Sequence, residues 1–310
     1  MVAKKGKLQI YAEYLIARLL LSGLGLLPRS AAVTIGRAAG RLAYHVLGRL
    51  RRTGMINLRL AFPEKSDAER QKILTASFEN LGRTLGEVSQ FPYLVPAKLE
   101  RIVDFTLDEQ SMQLYRRVKN EKQGVLIVTG HLGNWEMLVF AFAALYEPMA
   151  YLARPLDNPL LEDFTARLRS RFGNRPLNKS GSAMTAVRLL REGEILGVLA
   201  DINAHPKEGV FVDFFGIPAC TSAGPAIMAL RSRAIILPAF CVYDNSAGRY
   251  RLVRGNLIEY APTGDRVQDL HELTRLYTAE IEKIIRAFPE QWLWIHKRWK
   301  TRPKGEQQLY

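Results

Sequence analysis

The apolar run Gly124-Val-Leu-Ile-Val128 passes without a break into Thr129-Gly-His-Leu-Gly-Asn-Trp-Glu136. A short β-branched run bounded by glycine reads as a buried strand, and residues 135–146 (WEMLVFAFAALY) read as a helix with Asn134 at its N-cap. A buried strand leading straight into a helix points to an α/β fold. It also places His131 on the turn between the two, at the sheet edge where open α/β sheets bind their ligands. On one continuous helix His131 and Glu136 would point roughly 140° apart. Across a strand-to-helix turn with a glycine on either side, they can meet. A histidine whose second ring nitrogen is held by a carboxylate is a general base for a hydroxyl. The plainer alternative is a loop histidine that satisfies carbonyls, with Glu136 as a favourable anion in the first helical turn.

The remaining pattern extends the α/β reading. Residues 125–129, 149–153, 195–200, 235–242 and 250–254 read as strands, and 134–146, 159–172, 182–191, 222–232 and 268–287 as helices. This alternation predicts a mixed or mostly parallel sheet flanked by helices. The N-terminal third reads as a helical lead-in. Residues 31–50 form a helix rich in small residues, which allow close helix approach. A helix end follows at Asn57–Glu64, stopped by Pro63, and then an amphipathic helix over 66–90. Ser66 opens that helix with Glu69 three residues on, a capping-box pattern.

A formal net charge of +14 calls for an anionic partner. No nucleic-acid motif is present, so a membrane surface is the better match for a basic chain with an apolar start. Residues 8–27 are about long enough to cross a bilayer, though Glu13 and Arg18 interrupt them. The segment is expected to span, to lie in the interface, or to serve as the first helix of the globular fold. Lys4, Lys5 and Lys7 precede it, and Arg29, Arg37, Arg41, Arg49, Arg51 and Arg52 follow, a bias that keeps the body of the protein cytoplasmic. The chain thus divides into an N-terminal membrane anchor helix, 1–30, and a main domain, 31–310. Cys220 and Cys241 lie in apolar surroundings without metal-ligand spacing, so neither a metal site nor a disulfide framework is expected.

Four segments carry a family resemblance: GHLGNWE at 130–136, YLARPLDNPL at 151–160, the stretch 200–224 with its FFG-x-x-A-x-T ending, and FPEQWLWIHKRWK at 288–300. Together they resemble the late acyltransferases of lipid A biosynthesis, of lauroyl and myristoyl type, within the lysophospholipid acyltransferase superfamily. The resemblance runs from Asn57 to Pro303. The chain lacks the FPEG-type block of the glycerolipid enzymes, since Phe62-Pro63-Glu64 lies far upstream and is followed by lysine. It also has glutamate rather than aspartate five residues after the histidine. Both departures favour the lipid A branch.

The resemblance implies a glycerolipid acyltransferase-like fold and acyl transfer from acyl-acyl carrier protein or acyl-CoA to a hydroxyl of a phosphorylated glycolipid, foremost a lipid A precursor. His131 would be the base and Glu136 its orienting carboxylate. Arg154 would help to hold the acceptor or the carrier, and Asp201 would orient a basic side chain or the substrate hydroxyl. Thr221, with the helix N-terminus after it, would meet a thioester carbonyl or phosphate. Backbone N–H groups of the turn 132–134, Asn134 included, would face the oxyanion. The plain readings are a solvated Arg154, a turn-capping Asp201 and an N-capping Thr221. No metal or organic cofactor is called for, and the implied location is the bacterial inner membrane with the catalytic domain facing the cytoplasm.

Aromatic and basic residues interleave over 288–300, as suits a water–lipid boundary; the alternative is a C-terminal helix whose tryptophans plug the core. Two other functions compete: acylation of mannosylated phosphatidylinositol, and non-catalytic binding to anionic membrane. A serine hydrolase fits poorly, because no G-x-S-x-G elbow is present and the context of Ser180-Gly181-Ser182 does not match one.

Overall fold

The computed structural model describes residues 6–178 and 181–310, so Lys4, Lys5 and Ser180 lie outside the described residues. The N-terminal third is helical: α1 (Lys7–Gly25), α2 (Arg29–Val46), α3 (Gly48–Ala61) and α4 (Asp67–Gln90). The expected capping box starts α4, with Ser66 and Glu69 exchanging hydrogen bonds. The helix expected over 31–50 breaks at Leu47, which leaves helical geometry before α3 begins. Glycines set the packing of α2 on α4. A methyl group on Gly36, Gly40 or Gly82 would overlap backbone carbonyls of the facing helix, at Gly82, Phe78 and Gly36 respectively. Such close approach is open only to small residues.

After α4 come α5 (Pro96–Ile102), β1 (Val103–Asp104), α6 (Glu109–Asn120), β2 (Val125–Thr129), α7 (Trp135–Leu145), β3 (Ala150–Ala153), α8 (Pro159–Arg169) and β4 (Arg175–Asn178). Next are α9 (Ala183–Arg191), β5 (Ile195–Leu199), β6 (Gly209–Phe214), β7 (Ile217–Ser222), α10 (Gly224–Ser232), β8 (Ile235–Asp244), β9 (Arg249–Arg254) and α11 (Arg266–Ala287). Among the described residues, seven strands form one sheet in the order β1-β9-β8-β2-β5-β3-β4, and β6 and β7 pair separately as a hairpin. Every pairing in the large sheet is parallel except β8–β9. This is the mostly parallel sheet with flanking helices that the alternation predicts.

Central β2 is buried along its whole length. Leu126 and Val128 face a core built with α3, α4, α9, α10 and α11, whereas Val125 and Ile127 face a core built with α5, α6 and α7. Strand periodicity therefore splits one apolar run between two cores. Trp292, Trp294 and Trp299 are almost wholly enclosed, so the indoles of the C-terminal segment fill the core instead of a lipid boundary. They do so from an irregular strap, not from a helix.

The N-terminal expectation needs correction. No helix among the described residues is long and apolar enough to cross a membrane. Helix α1 is instead tied to the body of the protein. The Asn158 side chain donates to the Ile10 carbonyl (2.9 Å) and to Glu13, Gln90 donates to the Leu24 carbonyl (3.0 Å), and Tyr14 packs edge-on against Phe164. Its outer side leaves Leu8, Tyr11, Leu15, Ile16, Leu19 and Leu20 exposed.

The glycine contacts predict opposite outcomes at two positions. Gly82→Ala should cost about 1–3 kcal/mol through overpacking. Gly23→Ala, in α1 with nothing nearby, should be neutral or stabilise by up to about 1 kcal/mol through helix propensity. Denaturant unfolding of both variants would check the pair; equal effects would refute the close crossing.

Candidate active site

Parallel pairing brings the carboxyl ends of β2, β5 and β3 to one edge of the sheet, with β5 in the middle. His131 follows β2, Asp201 follows β5 and Arg154 follows β3. Adjacency of β2 and β5 decides which carboxylate meets the histidine. His131 Nδ1 lies 2.8 Å from Asp201 Oδ1, and the His131 backbone N–H donates to Asp201 Oδ2 at 2.6 Å. The Trp292 indole N–H donates to the same Oδ2 at 2.8 Å. Asp201 is buried, while the His131 side chain keeps about a fifth of its surface.

Glu136 does not hold the imidazole, contrary to the expectation from spacing. Its carboxylate is gripped by both arms of Arg169 on α8, at 2.7 and 2.6 Å. That forked geometry is among the strongest available to a carboxylate. In the first turn of α7, Glu136 points to the neighbouring helix instead of back over the turn. Asp201, foreseen as orienting a basic side chain or the substrate hydroxyl, is the carboxylate that contacts the imidazole.

Two glycines permit the arrangement. A Cβ on Gly130 would sit 2.9 Å from the Asp201 carboxyl group, and one on Gly133, whose φ is +63°, would overlap the Cys241 carbonyl. The Gly133 N–H donates to the Gln291 carbonyl (3.0 Å) and the Asn134 N–H to the Cys241 carbonyl (2.8 Å). These two N–H groups are thus engaged by the protein and do not face an oxyanion. Asn134 is fully buried, and its side-chain oxygen caps α7 by accepting from the Met137 N–H (3.0 Å).

Thr221 is likewise inside the protein. It belongs to β7, not to the N-terminus of α10, and its hydroxyl accepts from buried Arg298 at 2.5 Å while Arg298 also donates to the Cys220 carbonyl. Arg154 is exposed and contacts Asp157, as a solvated loop arginine does. Trp292 was legible only as part of the aromatic–basic segment. Nothing in its local pattern shows that its N–H reaches Asp201.

Electrostatics favour the charged pair. Burial opposes an imidazolium at His131, but the charge of Asp201 and their hydrogen bond prevail, with Glu136 adding to them, and the pKa rises above the ordinary 6.5. Burial would raise the pKa of Asp201. The charge and hydrogen bonds of His131, with that of Trp292, bring it down to about 2. Nearby His296 is pushed down to about 4, chiefly by burial, and its Nε2 accepts from the Asn203 N–H at 3.0 Å.

Between the sheet and α7 opens a mostly apolar crevice, and one of its lining residues, Trp135, packs against His131. The crevice walls include Ile127, Thr129, Trp135, Leu138, Tyr151 and Gly197, with Glu136 and Arg169 at one side. The Trp135 ring lies edge-on to the imidazole, 5.0 Å between centroids. No cluster suited to hold a metal ion occurs among the described residues.

An imidazole held in one tautomer by a buried carboxylate, at the carboxyl edge of a parallel sheet and next to an apolar crevice, is equipped to take a proton from a hydroxyl and return it. Such a site suits general-base transfer or hydrolysis. Residues 3–301 match the family model described as bacterial lipid A biosynthesis acyltransferase, and the chain belongs to that family of enzymes. It is 29% identical to a lipid A biosynthesis lauroyltransferase of Escherichia coli (strain K12), over 92% of this chain and 90% of the relative. A myristoyltransferase of the same organism is 29% identical over 89% and 82% of the two chains, and a palmitoleoyltransferase 29% over 92% and 90%.

The pair sets a pH signature. A base must be neutral, so the rate should fall as pH drops through the raised His131 pKa. Asp201→Asn removes the charge that raises it, so the acid limb of kcat/KM should move to lower pH while the plateau falls on the order of 10³–10⁴-fold. Glu136→Gln should displace the limb less. A larger displacement in Glu136→Gln than in Asp201→Asn would refute the assignment of partners.

Proposed function

We propose that this enzyme transfers a fatty acyl chain from a thioester donor to a hydroxyl of a phosphorylated glycolipid, with a lipid A precursor as the acceptor. The observation that carries the reading is the His131–Asp201 pair, joined to the apolar crevice through Trp135, which lines the crevice and packs against the imidazole. The names of the relatives supply the acceptor class. The donor is acyl-acyl carrier protein or acyl-CoA, and the strong positive charge of the chain suits steering of the acidic carrier protein.

With Nδ1 turned to Asp201, Nε2 of His131 is the nitrogen left for substrate. It removes the proton as the acceptor oxygen bonds to the thioester carbon. The tetrahedral intermediate then breaks its C–S bond, and the imidazolium returns the proton to the departing sulfur. The acceptor is the nucleophile, so no enzyme serine or cysteine is required. Asp201 keeps the imidazole in the right tautomer and stabilises the imidazolium, as the aspartate does in a serine-protease triad. Glu136 and Arg169 brace α7 against α8 over the crevice, where the acyl chain lies.

Helix α1 is the element that meets the membrane in this proposal. Its exposed leucines would lie in the interface, with Arg18 and the guanidinium groups of Arg167 and Arg171, which line a groove between α1 and α8, toward the headgroups. Residues 1–30 thus act as the membrane-contact segment and 31–310 as the acyltransferase domain, at the cytoplasmic face of a bacterial inner membrane. Arg154, exposed on the same sheet edge as His131, would meet the acceptor or the carrier in this reading. A purely membrane-binding protein would have no use for the buried His131–Asp201 pair.

Purified protein given acyl-acyl carrier protein and a tetra-acylated, phosphorylated lipid A precursor should yield a product heavier by one acyl chain. His131→Ala should abolish it. An active wild type matched by His131→Ala would remove the histidine from the mechanism; no product with any chain length would overturn the acceptor assignment. Chain choice offers a further check. A Cβ on Gly197 would make ordinary contacts at 3.5–3.6 Å with Met149 and Tyr151, so Gly197→Ala adds a methyl group to the crevice without a clash. Its kcat/KM for the preferred donor should fall about tenfold while shorter donors gain relative to it. A parallel fall for all lengths would refute the crevice as the acyl site.

A further inference from the structure

The oxyanion of the proposed reaction needs a donor, and the Gly133 and Asn134 N–H groups are already given to protein carbonyls. A different donor stands two residues before His131. Thr129 is buried, it lines the crevice, and its hydroxyl has no hydrogen-bond partner among the described residues. An unpaired buried hydroxyl costs stability, since it gives up water and receives nothing in return. Valine has the same shape and favours strands, so a role in folding does not account for the oxygen.

Its backbone is fixed: Thr129 is the last residue of central β2, in register with Leu199, and its carbonyl accepts from the Ala200 N–H at 3.0 Å. Its side chain shares the crevice-facing side of the strand with Ile127. A donor on so rigid an element need not reorganise as charge develops, which is the property that makes oxyanion stabilisation effective.

We propose that the Thr129 hydroxyl binds the carbonyl oxygen of the acyl thioester and stabilises the oxyanion formed on it. The inference rests on the acyl-transfer reading of the site. As the acceptor oxygen bonds to the carbonyl carbon, the π electrons move onto the carbonyl oxygen, and Thr129 donates its O–H to that charge. When the carbonyl re-forms, the C–S bond breaks and sulfur takes the proton from His131. Thr129 itself gains and loses no proton.

The test compares Thr129→Val and Thr129→Ser with wild type in turnover, thermal unfolding and carbonyl spectroscopy. Thr129→Val is expected to lose about 10²–10³-fold in kcat with little change in KM, while its melting temperature holds or rises. Thr129→Ser, which keeps the hydroxyl, should recover most of the rate. For spectroscopy, the lauroyl thioester of acyl carrier protein, labelled with ¹³C at the carbonyl, is bound to protein carrying His131→Ala. The carbonyl stretch should be lowered on binding, and that lowering should vanish when Thr129→Val is added. Unchanged kcat in Thr129→Val, or an unchanged carbonyl stretch, would overturn the inference. A wild type without transferase activity would overturn the underlying reading, while the carbonyl frequency would still decide the role of Thr129.

Discussion

The Asp201 carboxylate is the point on which the site is built. Three donors converge on it: the backbone N–H of His131, its ring nitrogen, and the indole of Trp292. An ionised carboxylate in the interior costs several kcal/mol of desolvation. Hydrogen bonds to a charged group return about 1.5–3 kcal/mol each, so three together offset a cost of that size. With fewer donors, the carboxyl would tend to protonate and release the imidazole. Its depressed pKa expresses the same balance.

The convergence links parts of the chain that are far apart in sequence. The turn after β2 supplies the histidine, the end of β5 the carboxylate, and the C-terminal strap the indole. The strap also forms backbone bonds along the turn, from the Leu293 N–H to the His131 carbonyl and from the Gly133 N–H to the Gln291 carbonyl. The N-terminal helices hold the strap from the other side. Asn57 donates to the carbonyls of Trp294 and His296, and Ser77 to that of Trp292. The orientation of His131 thus depends on α3 and α4 as well as on the strap, and the buried tryptophans supply the apolar area that keeps the strap there.

This explains what could be read from the sequence. The strand over 125–129 was visible because both its faces are buried, which leaves an uninterrupted apolar run. The capped helix at 67–90 was visible because its start signal is local. Edge strands β1 and β4 escaped notice: one has two residues, and the other carries Pro176, which an edge strand tolerates. The β6–β7 hairpin was hidden because its turn places a non-glycine residue, Phe215, at φ 56° ahead of Gly216, and hairpin signals lead with asparagine or glycine there. At the site, the histidine and its turn were legible from strand, glycine and cap. Asp201 was named there only through the resemblance, and its pairing with His131 was not legible, because five residues of spacing brought Glu136 forward, while seventy residues and a strand order separate His131 from Asp201.

The physical reason for two separate carboxylate pairs lies in their charges. Were Glu136 also free beside His131, two carboxylates would share one imidazolium, and their mutual repulsion would push one toward protonation. Arg169 prevents this by neutralising Glu136 with a forked pair, which leaves Asp201 as the direct partner of the imidazole. Glu136 still contributes at longer range, raising the His131 pKa without contacting the ring. Its position in the first turn of α7 thus serves two ends: it ties α7 to α8 across the crevice, and it supplies a background field to the imidazole. The short spacing between histidine and glutamate is then a consequence of where α7 must begin, not a measure of which residues touch.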